Sequence, residues 1–239
     1  MLTYRPDGSF IGSEQVNESG VQTYRVKNGT LAYYSYGSTH PYRLALLEKG
    51  DTACFLPTNA KVLNMSGNVP VFSEAGDGGV TFMDSYEPCI YEYKSGKVEK
   101  VLTFDFGKYS VPEAFFNYGD AFAAMQNLMG NDYAIVRRYF SDKNDKLAEI
   151  YLQKGGNPSF HYGLYNAGKW SWFYGGDERT SPLARSFRLF DGEGNLVCVM
   201  DLSLLGNLPS SLRECVTDNG VLDNLNQNSN CVIARIKLR

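Results

Sequence analysis

Ile90-Tyr91-Glu92-Tyr93-Lys94-Ser95-Gly96-Lys97-Val98-Glu99-Lys100-Val101-Leu102-Thr103-Phe104-Asp105-Phe106-Gly107 reads as two runs of β-branched and aromatic residues joined by a Lys-Ser-Gly turn. Such runs around a short glycine turn mark a β-hairpin, because glycine accepts the positive φ that a tight reversal needs. The same pattern recurs along most of the chain. Upstream, 21–26, 31–36, 42–48 and 52–56 are strand-like and are separated by Asn28-Gly29, by 37–41 and by Lys49-Gly50. Four short antiparallel strands on a roughly 40-residue period are the mark of a propeller blade. A second unit follows at 69–73, 80–83, 89–93 and 98–104, and a third at 133–140, 146–153, about 159–165 and 170–174. A fourth comprises 186–190, the turn Asp191-Gly192-Glu193-Gly194, 196–201 and the C-terminal strand 231–238. The chain opens in mid-hairpin, with 2–5 and 9–11 flanking Pro6-Asp7-Gly8.

Two segments break this rhythm. From Pro112, the residues Phe115, Tyr118, Phe122, Met125 and Met129 recur at steps of three and four, which predicts one amphipathic helix over 112–129. Proline is tolerated in a first helical turn because its missing N–H would be unpaired there anyway. The stretch 203–226 carries Leu204, Leu205, Leu208, Leu212, Val216, Leu222 and Leu225, broken by Pro209 and Gly220, and predicts two or three short helices. Both segments are expected to cap the β core.

Composition excludes some functions. The 239 residues suffice for one large all-β domain or two small ones, and the net charge is −3. A nucleic-acid binder needs a basic stripe to neutralise phosphates, and none is visible. The densest basic cluster, Arg235, Lys237 and Arg239, alternates with Ile236 and Leu238, as on the solvent face of a strand. No apolar run approaches the length of a membrane span, and the N-terminus carries no signal-peptide pattern. Cys54, Cys89, Cys198, Cys215 and Cys231 are widely spaced without a C-x-x-C pair, which disfavours structural zinc. Cys54, Cys89, Cys198 and Cys231 lie among strand residues and are expected to be buried and free, with a disulfide left open.

The passage from Ile90-Tyr91 through Gly96-Lys97 to Phe104-Asp105-Phe106-Gly107-Lys108-Tyr109 and Pro112-Glu113 resembles a six-bladed β-propeller family found mostly among Bacteroides-type lipoproteins. Its members commonly show an IY-x-I … DFGKY … PEE segment followed by a helical insertion. The closing stretch 228–239 is similar to that family's last strand, and 4–12 to an outer-strand hairpin of an earlier blade. The resemblance implies a propeller of four-stranded antiparallel blades, of six-bladed type but here truncated or reduced to about five. It implies a cell-envelope location. It brings no established activity and no catalytic residues.

Candidate sites are few. His40 precedes Pro41 in a Gly-Ser-Thr loop and is expected to be solvent-exposed; His161, in Ser159-Phe160-His161-Tyr162, is expected to serve strand packing or cross-strand hydrogen bonding. No G-x-S-x-G, H-E-x-x-H or P-loop occurs. Gly76-Asp77-Gly78-Gly79 lacks the helix and Lys-Ser/Thr of a phosphate cradle and reads as a turn. Asp142-Lys143-Asn144-Asp145 lacks the glycine and distal glutamate of a calcium loop and reads as a hairpin tip. The acidic turn at 191–195 reads as structural. Asp84 with Glu87, or Asp177 with Glu178, are the nominees for a carboxylate pair, and adjacent loop acids are mostly solvated charge. The remaining cluster is Lys169-Trp170-Ser171-Trp172-Phe173-Tyr174. On a strand, Trp170, Trp172 and Tyr174 share one face. Packing between blades is the plain expectation. If the stripe reaches a rim, its rings can stack on sugars or on a partner, with Asp177, Glu178 and Arg179 as polar companions on the following loop.

The sequence therefore predicts a single all-β propeller domain over 1–239, with helical insertions at 112–129 and 203–226. The leading functional expectation is a non-enzymatic binding or scaffolding module without a cofactor or metal. Its ligand is a protein or glycan, met through Trp170, Trp172, Tyr174, Asp177, Arg179 or His40. The competing expectation is a propeller-type lyase or glycan hydrolase with acids or a histidine at the channel mouth. A third is self-association through open blade edges.

Overall fold

The computed structural model describes residues 2–13, 22–34, 40–48, 50–58, 71–84, 86–142, 144–177, 181, 186–191, 193–201 and 231–237. They fall into two compact units, Met1–Asn64 and Met65–Arg239, and each is taken by itself. In the first, β1 (Leu2–Tyr4) and β2 (Phe10–Ser13) pair antiparallel around the Pro6-Asp7-Gly8 turn. The Asp7 carboxylate accepts the Ser9 N–H at 2.9 Å and closes that turn. Next, β3 (Gln22–Val26), β4 (Gly29–Tyr33), β5 (Tyr42–Glu48) and β6 (Asp51–Pro57) form an antiparallel sheet in sequence order. β4 is buried along its whole length, whereas β6 is mostly exposed. Ala32 and Ala45 face each other across β4 and β5 and leave room for the Tyr34 ring.

The second unit repeats the plan. β7 (Phe72–Glu74), β8 (Val80–Met83), β9 (Cys89–Lys94) and β10 (Lys97–Thr103) make one four-stranded sheet. The β9–β10 turn is Ser95-Gly96, with φ of 51° and 80°. Two successive positive φ values suit the right-handed twist of the flanking strands. β11 (Tyr133–Ser141), β12 (Lys146–Lys154), β13 (Asn157–Asn166) and β14 (Lys169–Asp177) make the next sheet. β15 (Phe187–Phe190), β16 (Asn195–Asp201) and β17 (Cys231–Lys237) follow as three described strands. All pairings are antiparallel. The first strands of successive sheets adjoin, since β11 touches both β7 and β15. Ser141 of β11 donates from its backbone N–H to Ser73 Oγ at 3.2 Å and from its own Oγ to the Glu74 carbonyl at 2.9 Å. Successive four-stranded antiparallel sheets with adjoining first strands are the blades of a β-propeller.

Alternation of side chains gives the β11–β14 sheet two faces, and each packs on a different neighbour. Ala134, Val136, Tyr139, Ala148 and Ile150 pack against Met83, Ile90 and Phe104 of the preceding blade. Phe140, Leu147, Phe160 and Tyr162 pack against Phe187, Leu196, Cys198 and Met200 of the next.

The helical insertion differs from its expected form. Instead of one helix from Pro112 there is a 3₁₀ turn at Gly107–Tyr109, another at Glu113–Asn117, and a separate helix, α1 (Ala121–Met129). Pro112 is extended and precedes its turn rather than opening a helix. Asp120 is also extended, and its carboxylate accepts the Phe122 N–H at 2.9 Å. An aspartate capping a fresh N-terminus restarts the helix and shifts its phase. The buried residues are consequently Phe115, Ala124 and Leu128, while Phe122 and Met129 are 67% and 59% exposed. The expected helices at 203–226 lie outside the described residues.

Candidate functional site

Trp170, Trp172 and Tyr174 do share one face of β14, the last strand of its sheet. Their cross-strand partners on β13 are Tyr165, Gly163 and His161. The two indoles lie nearly parallel, 20° apart with centroids at 5.7 Å. Phe104 of the preceding blade meets both edge-on, at 6.1 Å and 6.3 Å. Trp170 is thereby half-buried, as expected for packing between blades, and Tyr165 closes its other side at 5.5 Å. Trp172 and Tyr174 are not: they are 55% and 62% exposed. Gly163 sets the pose of Trp172, because a Cβ there would lie 2.8 Å from the far edge of the indole. A strand glycine often marks such a close approach.

Asp177 joins this face through a bulge. Parity alone places an odd residue opposite Trp170, Trp172 and Tyr174. Between the pairs His161↔Tyr174 and Phe160↔Gly176, however, Gly175 is an extra residue. One inserted residue reverses the alternation. Gly175 itself lies against the Tyr162 ring. Asp177 then faces Ser159 across the ladder, at the end of β14 rather than on the loop the sequence suggested. The resulting row of cross-strand pairs runs Tyr165/Trp170, Gly163/Trp172, His161/Tyr174 and Ser159/Asp177.

His161 serves strand packing, the first of its two expected roles, and its described hydrogen bond stays within its own strand. Its ring lies 5.3 Å from Tyr174, and its Nε2 is 3.2 Å from Ser159 Oγ. Burial pushes its pKa below the ordinary histidine value, which favours the neutral ring. Ser159 Oγ also donates to the Leu152 carbonyl at 3.3 Å, which orients it along its own sheet. Ser159, Gly163, Tyr165 and Phe104 were not nominated from sequence. Only Gly163, a glycine inside an aromatic strand, carried a signal there.

The other candidates separate from this face. Arg179 and Glu178 lie outside the described residues. His40 belongs to the first unit and, against expectation, is only half-exposed: it packs between Tyr34 at 4.1 Å and Tyr42 at 5.5 Å. The residue after it is Pro41, which leads directly into β5. Asp84 is buried and accepts the Tyr86 N–H at 3.2 Å, while Glu87 accepts the Tyr91 hydroxyl at 2.9 Å. Gly76–Gly79 is a turn, with Asp77 ion-paired to Lys94, and Asp142–Asp145 joins β11 to β12. Cys89 and Cys198 are buried and free as expected, and burial pushes the Cys198 thiol up to about 12. Cys54 and Cys231 are free but exposed, which corrects the expectation. Cys54 sits on the outlying β6, and Cys231 on the face of β17 opposite the packed Val232 and Ala234.

The acidic turn at 191–195 is structural. Asp191 accepts the Asn195 side-chain and backbone N–H groups, and Arg235 reaches it from β17 with Nε at 2.7 Å. The Asn195 amide, then its backbone N–H and Arg235, hold this carboxyl well below the usual carboxylate range. A depressed folded-state value contributes stability above the unfolded-state value of about 3.9, lost as pH falls towards the folded one. Asp191→Asn should therefore flatten the fall in urea midpoint between roughly pH 4 and pH 2. An unchanged slope would remove Asp191 from the acid response.

These adjoining antiparallel blades place the chain in the β-propeller class. The family model DUF5128, 6-bladed beta-propeller, matches residues 1–173, and the chain belongs to this family. A solved Bacteroides fragilis protein, provisionally named an exported protein, superposes with a TM-score of 0.73 at 13% sequence identity. The match covers 100% of this chain and 71% of that one. No curated protein gives a significant match. Among the described residues, no helix is long and apolar enough to cross a membrane.

Proposed function

We propose that the chain is a non-enzymatic binding module of the bacterial cell envelope, and that it binds a glycan across Trp172 and Tyr174. The observation that carries this reading is the Trp172 indole, largely exposed and laid over Gly163. Flat aromatic surface with polar groups at its border suits a ligand that is apolar on one face and hydroxylated at its rim. The rings supply the platform, and Asp177, Ser159 and His161 supply the border. The envelope location rests on the family resemblance and on the exported name given to the B. fragilis neighbour.

The chain's two tryptophans are both in this stripe, so intrinsic tryptophan fluorescence reports on it alone. Titration with a panel of neutral and acidic oligosaccharides should change the emission saturably. Trp172→Ala should weaken binding at least tenfold, a loss of about 1.4 kcal/mol, without lowering the unfolding midpoint appreciably. Gly163→Ala should weaken it as well, by tilting the indole. A flat response across the panel, with a response to a protein fraction instead, would transfer the stripe to a protein partner.

A further inference from the structure

The polar groups bordering the aromatic stripe are tied by hydrogen bonds that decide what each can offer a ligand. Ser159 Oγ lies 3.3 Å from the Leu152 carbonyl and 3.2 Å from His161 Nε2. A carbonyl can only accept, so the single Ser159 hydrogen goes to Leu152. Oγ must then accept from the histidine, and the neutral ring carries its proton on Nε2. Burial favours that neutral ring. The second nitrogen, Nδ1, is left as a bare acceptor. It has no hydrogen-bond partner among the described residues, and it is not sealed from water.

Asp177 faces Ser159 across the ladder, one pair along from His161, and its carboxylate also accepts. Ser159 Oγ has given its hydrogen to Leu152 and keeps a lone pair. The border beside Trp172 and Tyr174 therefore presents lone pairs at all three positions.

We propose, building on the glycan reading above, that this border selects hydroxyl donors: it takes a neutral glycan with free hydroxyls beside its stacked face and rejects sugars that are sulfated, carboxylated or O-methylated there. A hydroxyl supplies the hydrogen that each acceptor needs. Sulfate and carboxylate bring lone pairs to lone pairs, and a negative charge towards Asp177. An O-methyl group leaves the apolar face of the sugar able to stack but covers Nδ1 without a donor. An acceptor buried unpaired under a ligand weakens binding, which is why sites built for a hydroxyl reject analogues lacking it.

The test has two parts, both on the full chain. Proton–nitrogen correlation spectra of the imidazole rings report which nitrogen carries the proton. The chain has two histidines, and His161→Phe identifies the signal. The Nε2–H form is expected, and the Nδ1–H form overturns the proposal whatever the ligand. The second part follows tryptophan emission with cellotetraose, mannotetraose and xylotetraose, each beside its O-methylated and O-sulfated derivatives at fixed ionic strength. The derivatives should bind at least tenfold more weakly than their parent. His161→Phe keeps a ring against Tyr174 without either nitrogen, so it should weaken the parent sugar about tenfold and narrow its lead over the O-methylated form. A parent sugar that binds no better than its derivatives overturns the donor selection and leaves the glycan reading standing. Failure of all three parents overturns both.

Discussion

Glu149→Gln should lower the unfolding free energy by about 3–5 kcal/mol, although it changes neither the volume nor the shape of the side chain. The carboxylate accepts the Tyr162 hydroxyl and is fully buried beside the mostly buried guanidiniums of Arg137 and Arg138. At 3.5 Å and an effective dielectric near 20, one such pair attracts by roughly 5 kcal/mol. Removing the negative charge takes this attraction away while the two guanidiniums stay mostly buried, and that loss is the source of the penalty. The amide can keep the Tyr162 hydrogen bond, so the charge is isolated from the packing. Urea unfolding monitored by far-UV circular dichroism measures the difference. A loss under about 1 kcal/mol would mean that solvent reaches this carboxylate and screens it.

Phe104→Ala should cost a similar amount, about 3–5 kcal/mol, by the different route of a cavity. Phe104 is buried among Ile90, Val136 and Ile150 and stands edge-on to both indoles. Its loss removes apolar burial and also the support beneath the stripe. Unfolding should therefore move to lower urea, and the native tryptophan emission should shift red as Trp170 gains water. A destabilised variant with unchanged emission would show that Gly163 and Tyr165 alone hold the indoles.

The hairpins were legible in the sequence because their signals are local. Alternation and turn residues place β5 and β8 at their observed bounds and most other strands within a few residues. The grouping of Trp170, Trp172 and Tyr174 was legible for the same reason. The phase of the helical insertion was not, because Asp120 interrupts a periodicity that reads straight through it. His40 was misjudged because loop residues give no sign of the rings they meet. The partners of the aromatic stripe depend on register, which joins Gly163 to Trp172 and Phe104 to both indoles across separate strands. Arg137-Arg138 is intermediate: two consecutive charges inside Ala134-Ile135-Val136-Arg137-Arg138-Tyr139-Phe140 break the alternation where Arg137 is an extra residue in the β11–β12 ladder. That signal was present and unread.

The extra residue at Gly175 bears on how this surface is to be sought in other chains. Asp177 stands beside the tryptophans only because the count between them is odd and one residue is looped out. A chain with the same aromatic run and the same acid at the same spacing, but with no residue looped out between them, would put the carboxylate on the far side of its sheet. At 13% identity such a difference is easily lost in an alignment. The spacing from ring to acid, counted with its bulge, is therefore a better marker of this surface than the identity of either residue.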